Sequence, residues 1–574
     1  MMIMRNYIII LILIIIPVHI LGQQNQETIM KREITLYNPY KPSLPDVMKK
    51  SPLPNIVDTS KVRHEFSYEV NTTPFMPPYN ISPIKAASLI PDPLPKLYNS
   101  YVNIGFGNYI TPLAEISITN ERSKKGAIGL YAGHFSTNGK VELQNLEKVF
   151  AGYMDNDVSL FGRKFYRRSQ LYGSLDFNQK SRYAYGYDTS FADYSADKKD
   201  IKREYINTGA NIGYASDNLD SSKLSYDFSL EYKFFHAKKE LHQHLLEFAG
   251  TMSKLVKGFY AGAGMELDFY VPSDSVSINS RYLVALKPTL EKATAEWNFR
   301  LGFQAVVDKG LVDPQKLHLY PDVRFGFNII PAYMSFFAEL SGQLEKNDPA
   351  HVTGINPFLI PGVSLFTLRN TDYALIVRAG FKGETGLEGN YKVSASYSLV
   401  NNMLFYTNSV VYDGITVLEY GNNFNTVYDD VEILNVHGDM GGKLTDKISF
   451  ETEGNYYRYT LSESDHAWNR PQWDAMAGLR YNLRDKISAG VNIDARGSSY
   501  ALVTSTDIGV PGITTYQQVQ LPSNLTFGLN AEYRYTKILS FWLRFNNISF
   551  SRNYEWAFYP SQRFMCLVGF SYSL

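Results

Sequence analysis

The sequence predicts an all-β protein, a transmembrane antiparallel β-barrel of about 22 strands (range roughly 16 to 22) preceded by a proline-rich extended segment. Three observations lead to this prediction. From residue 98 to the end, apolar and polar side chains alternate with a period of two. Short connections between these segments alternate with long ones, as outer-membrane barrels require. Beyond the N-terminus, no run approaches the roughly 18 apolar residues of a membrane helix.

Residues 1–22 have the pattern of a secretory signal peptide. Arg5 precedes an apolar run over residues 7–16, and a short stretch ending at Gly22 resembles a cleavage site. The only cysteine is Cys566, so the sequence offers neither a lipoprotein anchor at the cleavage point nor a disulfide framework. An exported chain without helical spans that carries barrel strands is predicted to reach the cell outer membrane.

Residues 23–97 form a separate, proline-rich segment. They hold twelve of the 26 prolines of the chain, which favours extended conformations over helix or central strand. One interpretation is a poorly ordered periplasmic tail. The other is a strap that fills the lumen or docks on another envelope protein, using aromatic anchors such as Phe66, Tyr68 and Phe75.

Residues 98–574 are predicted to form the barrel itself. Between residues 296 and 307 the apolar register is Trp297, Phe299, Leu301, Phe303, Ala305 and Val307, and it alternates with charged or polar residues. Charges facing lipid cost a few kcal/mol each near the midplane, so the charged register should face the lumen. The predicted lumen-facing charges are Glu266, Asp268, Glu296, Arg300, Arg480, Arg484, Asp494, Arg496, Glu532 and Arg534. Their mixed signs indicate mutual pairing rather than an ion-selective ring.

The last twelve residues predict how the barrel closes. One register of this final strand carries an apolar set that is predicted to serve as the barrel-closing insertion signal: Phe564, Val568, Phe570, Tyr572 and Leu574. A terminal strand needs a partner, because an open edge leaves backbone groups unpaired. The alternating segment 98–107 is the expected partner. The barrel-assembly machinery would read the signal during insertion.

Connections and composition fit this assignment. Long outer loops are expected near residues 137–154, 187–203, 271–279, 346–373, 401–428, 461–472, 498–522 and 551–562. An aromatic content of 14% suits the girdles of a barrel in outer-membrane lipid. With 56 basic and 56 acidic residues, no nucleic-acid partner is indicated.

No catalytic, cofactor-binding or metal-binding site is predicted. The nucleophile elbow, the P-loop and the H-E-x-x-H motif do not occur. Two loop clusters are open to a minor alternative: His236, Glu240, His242 and His244 could hold a metal ion, and Asp188, Asp193, Asp197 and Asp200 could hold calcium. Solvated loops are the expected reading of both. Asp155 and Asp157 fit a turn.

Three short blocks resemble a known family. Residues 32–39 (REITLYNP), 82–85 (SPIK) and 120–126 (NERSKKG) resemble a Bacteroidota outer-membrane barrel family often labelled TonB-dependent-receptor-like. The resemblance implies the barrel of a TonB-dependent receptor and a role in transport. The 75 residues 23–97 are too few for the plug domain of such receptors, so a minimal plug is expected. Residues 33–36 resemble a TonB box, and Asp274-Ser275-Val276 resembles an O-glycosylation site.

Two functions from different classes follow. The first is a non-enzymatic outer-membrane barrel for solute passage or TonB-receptor-like transport. The alternative is a structural or accessory subunit of an outer-membrane assembly, which would use residues 23–97 and the outer loops for docking. An enzyme with a catalytic site on the barrel rim is a third, minor alternative.

Overall fold

A computed structural model describes residues 98–574 with short gaps. These gaps are residues 121–122, 192–193, 195–196, 218–221, 238–240, 273–280, 311–313, 361, 363–364, 366–367, 387, 415 and 511–512. The signal peptide, the proline-rich segment, Asp193, Glu240 and the Asp274-Ser275-Val276 motif therefore lie outside the described residues.

The described chain is almost entirely β-strand. The first strands are β1 (Ser100–Gly107), β2 (Thr111–Thr119), β3 (Gly126–Thr137), β4 (Lys140–Glu142), β5 (Lys148–Phe150), β6 (Tyr153–Phe165), β7 (Ser169–Tyr183), β8 (Lys202–Ser216), β9 (Ser225–Ala237), β10 (Leu241–Val256), β11 (Phe259–Pro272), β12 (Arg281–Ala293), β13 (Trp297–Lys309) and β14 (Lys316–Ile330). The others are β15 (Met334–Glu345), β16 (Thr371–Thr385), β17 (Gly389–Asp413), β18 (Thr416–Thr445), β19 (Ile448–Leu461), β20 (Trp473–Leu483), β21 (Ile487–Arg496), β22 (Ser499–Asp507), β23 (Ile513–Leu521), β24 (Asn524–Arg534), β25 (Leu539–Asn546), β26 (Tyr554–Trp556), β27 (Tyr559–Pro560) and β28 (Met565–Ser573).

The large sheet closes on itself as a 22-stranded antiparallel barrel. Strands pair in chain order except that β3 pairs with β6, β21 with β24 and β25 with β28, because β4–β5, β22–β23 and β26–β27 are hairpins within loops. β28 pairs with β1, which completes the circuit. The predicted fold class and its upper strand count are confirmed.

The seam joins the two ends of the barrel chain. Ile104 lies opposite Phe570, and Phe106 lies opposite Val568. Backbone bonds between Ser100 and Leu574 continue the ladder to the last residue. Pairing the first and last strands removes the open edge that either would otherwise present to lipid. The structure thus places the seam at the two strands that alternation alone predicted.

Connections differ strongly between the two ends of the barrel. The short-turn end, where residues 98 and 574 lie, has tight links such as Lys257-Gly258 between β10 and β11. Gly258 has a φ of +83°, a backbone conformation that glycine adopts without strain. The opposite loop end carries the connections of 15 to 27 residues, such as those between β3 and β6 and between β21 and β24.

One of the predicted outer loops is instead part of the two longest strands. Residues 401–428 were expected to form an outer loop, but they belong to the hairpin of β17 and β18, which are 25 and 30 residues long. A strand needs only about 9–11 residues to cross a membrane. The excess continues past the barrel at the loop end, where β22 pairs in parallel with β17 from Asn408 to Tyr412. These strands and β23 form an outer sheet.

Helical structure is minor. One helix, α1 (Pro349–Ile355), lies in the connection between β15 and β16, with the side chain of Asp348 as its N-cap. Among the described residues, no helix is long and apolar enough to cross a membrane.

Candidate functional site

The barrel wall has two chemically different faces. On β9, Leu230 and Tyr232 are 43% and 42% exposed, whereas Phe235 in the opposite register is 4% exposed and buried under loop residues. Phe235 shares its face with Lys233 because strand side chains alternate. The charged register of the wall is therefore the one that the loops cover.

Loops from the loop end meet on this charged face as a loop cap. We define the loop cap as residues 184–187, residues 346–360 and the β26–β27 hairpin with its turn (residues 554–560). Its buried cluster includes Phe235 of β9, Phe424 of β18 and Trp556 of β26. β9 and β18 are not neighbours in the circuit. Contacts between non-neighbouring strands of a closed barrel run across its interior, so the charged face is the interior face.

Aromatic contacts hold the loop cap together. The ring of Tyr559 stacks on Phe358 with centroids 4.1 Å apart. Trp556 packs edge-to-face against Phe424 and Tyr406, with centroids 5.3 Å apart in both pairs. Such pairs contribute about 0.5–1.5 kcal/mol each beyond the apolar area that they bury. The hairpin between β25 and β28 is thereby attached to β17 and β18, which are not its neighbours in the circuit.

Buried hydroxyl groups add polar contacts to the cap. Tyr559 donates to the carbonyl of Asn422, Tyr185 to that of Pro560 at 2.8 Å, and Tyr205 to that of Pro357 at 3.0 Å. Burial raises the pKa of the loop tyrosines Tyr185 and Tyr559 because the phenolate form would lose its hydration. These phenols are therefore hydrogen-bond donors at neutral pH.

The α1 connection is anchored to the wall at its base. Arg281 of β12 donates to the carbonyl of Asn347 at 3.2 Å and to the side chain of Asn370, and it lies over the Tyr270 ring at 4.8 Å. Asn347 in turn donates to the Thr371 hydroxyl at 3.0 Å. Val352 of α1 is completely buried. The segment is a packed part of the interior rather than a solvated loop.

Three predicted lumen-facing charges, Glu266, Asp268 and Arg300, lie in groups of ion pairs on β11–β16, which we call the paired wall. Glu266 pairs with Lys287 at 2.6 Å, Asp268 with Lys346 at 2.6 Å, and Arg300 with Asp322 at 3.0 Å. Arg300 also pairs with Glu291 at 3.1 Å, and Arg324 pairs with Asp322 at 3.2 Å.

Lys346 belongs to the α1 connection, so a loop residue completes this network. Burial acts to lower the pKa of Lys346, but the nearby carboxylates of Asp268, Glu266 and Glu247 together outweigh burial, and the net shift of the pKa is upward. Lys346 therefore stays charged beside an Asp268 carboxylate that is only 2% exposed.

Five further predicted charges, Arg480, Asp494, Arg496, Glu532 and Arg534, lie on β20, β21 and β24. Together with β25, we call these strands the open wall. In the part of the chain that the structure describes, Arg480, Glu532 and Arg534 make no ion pair. Asp494 accepts a hydrogen bond from the Asn492 amide at 3.0 Å, and Arg496 donates to the Tyr554 carbonyl at 2.9 Å. The expected mutual pairing thus describes one wall only.

Two of the predicted charges are not on the wall. Glu296 lies in the turn before β13, and Arg484 lies in the turn between β20 and β21 with a φ of 50°. Both belong to the short-turn end. Asp155 and Asp157, which we expected in a turn, instead lie within β6, and Asp155 pairs with Arg182 at 2.8 Å. That turn prediction was wrong because the two carboxylates occupy alternate positions of a long strand.

The predicted insertion-signal residues lie at the seam. Val568, Phe570 and Leu574 are exposed on the apolar face, and Tyr572 is half-buried there. Phe564 precedes β28 and stacks against Phe550 with centroids 4.8 Å apart.

The two alternative metal sites gain no support from side-chain geometry. His242 and His244 share the apolar face of β10, where their ring centroids are 5.4 Å apart, and His236 lies opposite His242. Asp188 and Asp197 accept hydrogen bonds from backbone N–H groups two residues ahead, at 2.9 Å each. Within the described ranges, no group of three or more metal-ligating side chains is suited to hold an ion.

Among the cavities that the described residues form, three differ in volume and position. One of about 450 Å³ lies between α1 and the inner side of β6–β10, and includes Asp157, Asp176 and Glu231. A second, of about 480 Å³, lies on the other side of α1 beside Tyr185 and Trp556. The largest, about 790 Å³, lies at the short-turn end beside the seam. Residues of the loop cap line the first two cavities but not the third.

Sequence reasoning missed the loop cap. Its aromatic residues fall in segments that have no periodicity, and their partners are more than one hundred positions away, as for Tyr559 and Asn422. The only signal was the aromatic content of the predicted loops, for example Trp556 and Tyr559 within residues 551–562.

A closed 22-stranded barrel with an apolar outer face and charged interior face is an outer-membrane protein, so the chain belongs in the cell outer membrane. Among solved structures, the siderophore receptor PirA from Acinetobacter baumannii superposes with a TM-score of 0.60 at 9% identity, over 84% of this chain and 81% of that one. The siderophore receptor PiuA from the same organism gives 0.59 at 11% identity, over 83% and 82%. The copper transporter OprC gives 0.59 at 10% identity, over 84% and 81%.

These similarities establish a barrel fold of the TonB-dependent-receptor type. At such low identity they concern the fold alone. No protein-family model matches the sequence, and no curated protein sequence matches it either.

Proposed function

We propose that the chain is a non-enzymatic transport barrel whose interior is closed from the loop end by its own loop cap. The supporting observation is the buried aromatic cluster that joins α1, the β26–β27 hairpin and opposite strands across the interior. Solute passage in this proposal requires the loop cap to move. The charged interior face lines the lumen, the apolar face contacts lipid, and the short-turn end is periplasmic.

The remaining sequence predictions, for residues 23–97 and for the final strand, are part of the proposal. Residues 23–97 act as a minimal plug from the periplasmic side, as in TonB-receptor-like transport with the usual plug domain reduced. The final strand, with Phe570 and Leu574 on its apolar face, is the signal for the barrel-assembly machinery. The structural neighbours include siderophore receptors and a copper transporter, so metal complexes are a first class of solute to test.

Planar-bilayer conductance tests the proposal. The Trp556→Ala/Tyr559→Ala double variant removes two buried rings from the loop cap, so it should open larger and longer-lived channels than the unchanged chain. Tyr516→Ala is the matched control, because Tyr516 is 69% exposed on β23 and lies outside the cap. Deleting residues 23–97 should enlarge the channels further.

The outcomes separate the parts of the proposal. If only the deletion opens the channel, the proline-rich segment is the barrier and the loop cap is not. If the unchanged chain, the double variant and the deletion are all silent, solute passage is wrong.

A second candidate function is a docking subunit of an outer-membrane assembly, and β23 favours it. Among the described strands, β23 pairs only with β22, so one side of its nine-residue backbone is free. Its sequence ITTYQQVQL contains no charge, proline or glycine, the residues with which proteins usually protect an edge. Such an edge suits an extended segment of another envelope protein that adds a strand. Silent bilayers together with stoichiometric co-purification of that protein, lost on Gln517→Pro, would favour this function.

A further inference from the structure

The cavity at the short-turn end, which we call the seam cavity, has an unusual charge. Its lining includes Arg480 of β20, Arg534 of β24, Lys537 of the following turn and Arg544 of β25. Glu532 is the one carboxylate among the described lining residues. The seam cavity thus combines four cationic groups with a single anionic one in about 790 Å³.

Strand register brings two of the arginines onto one row. Arg480 lies opposite Gly490, Gly490 opposite Asn530, and Asn530 opposite Arg544. Neighbouring strands are about 4.8 Å apart, so the two arginine backbones are separated by roughly 14 Å. The two residues between them are glycine and an uncharged amide. Both long side chains can therefore approach the same point above this row.

The position of Arg544 is set by a buried aromatic platform. Its guanidinium lies over the Trp542 ring at 4.5 Å. Trp542 is 6% exposed and donates from its indole N–H to Asn103 at 2.6 Å. The indole occupies the space left by Gly105 and Gly569, where a Cβ at either position would overlap it. The platform spans the seam, and stacking on it costs the guanidinium little entropy.

These cations lack the counterions that their equivalents on the paired wall have. Arg300, Arg324 and Lys287 each contact at least one carboxylate. Arg480, Arg534 and Lys537 contact none in the described part of the chain, and Arg544 contacts only the ring below it. Like charges that share a cavity without a counterion favour an anion there, because its field acts on all of them at once.

We propose that the seam cavity is a binding site for an oxyanion with two or more negative charges. Arg480 and Arg544 clamp the anion from opposite ends of the row, and Arg534 and Lys537 supply further positive charge at the short-turn end. Guanidinium groups match the paired oxygens of phosphate and carboxylate groups. Uncharged donors, Asn492 and Asn530 among them, line the same cavity and can complete the coordination. The site rests on the barrel fold and does not require that the chain transports anything.

Titration calorimetry of the purified full chain in neutral detergent at low salt tests this site, with inorganic pyrophosphate and citrate as separate probes. We expect saturable binding of at least one probe. Arg480→Gln and Arg544→Gln should each weaken it roughly tenfold, the loss of one charge-assisted hydrogen bond. Arg484→Gln is the matched control, because Arg484 lies in an adjacent exposed turn and does not line the cavity. It should leave the affinity unchanged.

The two probes distinguish the source of the anionic groups. Tighter binding of pyrophosphate assigns the site to phosphate-type ligands, and tighter binding of citrate assigns it to polycarboxylates. Gel migration with and without boiling checks that each variant is a folded barrel. The site is refuted if neither probe binds at about 10 mM, or if Arg484→Gln weakens binding as much as Arg544→Gln does. Conductance plays no part in the readout, so failure of the transport proposal leaves this test intact.

Discussion

The paired wall and the open wall have the same strand alternation but use their charges differently. On β11–β16, acidic and basic side chains form ion pairs between neighbouring strands, and a loop lysine, Lys346, pairs with Asp268 of β11. On β20, β21, β24 and β25, charges such as Glu532 and Arg534 form no ion pair with any described residue. Charges that form ion pairs with one another stabilise a wall, and their charged groups are then not available to bind a ligand. Unpaired charges contribute little to stability but remain available for binding.

The largest effect should follow from breaking the most buried pair of the paired wall. Lys346→Met leaves the Asp268 carboxylate, 2% exposed, without its cation. Removing one partner of a buried pair costs several kcal/mol, so we expect the free energy of unfolding to fall by about 3 kcal/mol. Urea unfolding of the barrel in lipid vesicles, followed by tryptophan fluorescence, measures this change.

Lys537→Met is the matched control on the open side, since Lys537 makes no ion pair within the described ranges. It should change the free energy of unfolding by less than about 0.5 kcal/mol. Asp268→Asn combined with Lys346→Met should recover most of the loss, because no buried charge then remains unpaired. Equal losses for the two lysine variants would contradict the distinction between the walls.

The sequence could predict the barrel and its seam because strand periodicity is local. Alternation identifies which side chains share a face, and the need to remove an open edge identifies the partner of the last strand. Pairing between charges depends instead on cross-strand register and on loops, neither of which has a local pattern. Glu266 and Arg480 both stand in the charged register of the sequence, yet within the described residues only Glu266 has an ion-pair partner, the diagonal neighbour Lys287 on β12. Arg484 was predicted to face the lumen because it continues the alternation of β20, but the chain already turns at this residue.

The loop cap was beyond sequence reasoning for a related physical reason. Its cluster brings together segments as distant as Tyr185 and Pro560, which are 375 positions apart. The energy of such contacts comes from burial of aromatic area, which any arrangement of the same loops could provide in part. Only the closed circuit of strands fixes which loops can meet over the interior.

A smaller effect should follow from removing the shared carboxylate of the paired wall. Asp322 forms ion pairs with both Arg300 and Arg324, so Asp322→Asn leaves two guanidinium groups in contact with a neutral amide. Glu291 and Glu339 remain as weaker partners. We expect a loss of about 2 kcal/mol in the free energy of unfolding, measured in the same vesicles.

Asp494→Asn provides the comparison on the open wall. Asp494 is exposed, and within the described residues its side chain accepts a hydrogen bond from the Asn492 amide alone. Its substitution should cost less than about 0.5 kcal/mol. A loss as large as that of Asp322→Asn would mean that the open wall depends on its charges for stability, which would remove the reason to assign them to a ligand.

The smallest expected effect tests whether the open wall is a binding surface. Glu532→Gln removes the one carboxylate of the seam cavity without shortening the side chain. The repulsion between Glu532 and a bound oxyanion then disappears, so pyrophosphate should bind roughly threefold more tightly at low salt, and the gain should shrink as ionic strength rises. Stability should stay unchanged, because Glu532 has no ion pair to lose. Weaker binding would instead show that Glu532 orders the neighbouring arginines. The cations of the open wall would then have a structural role in the barrel rather than a role in binding an anion.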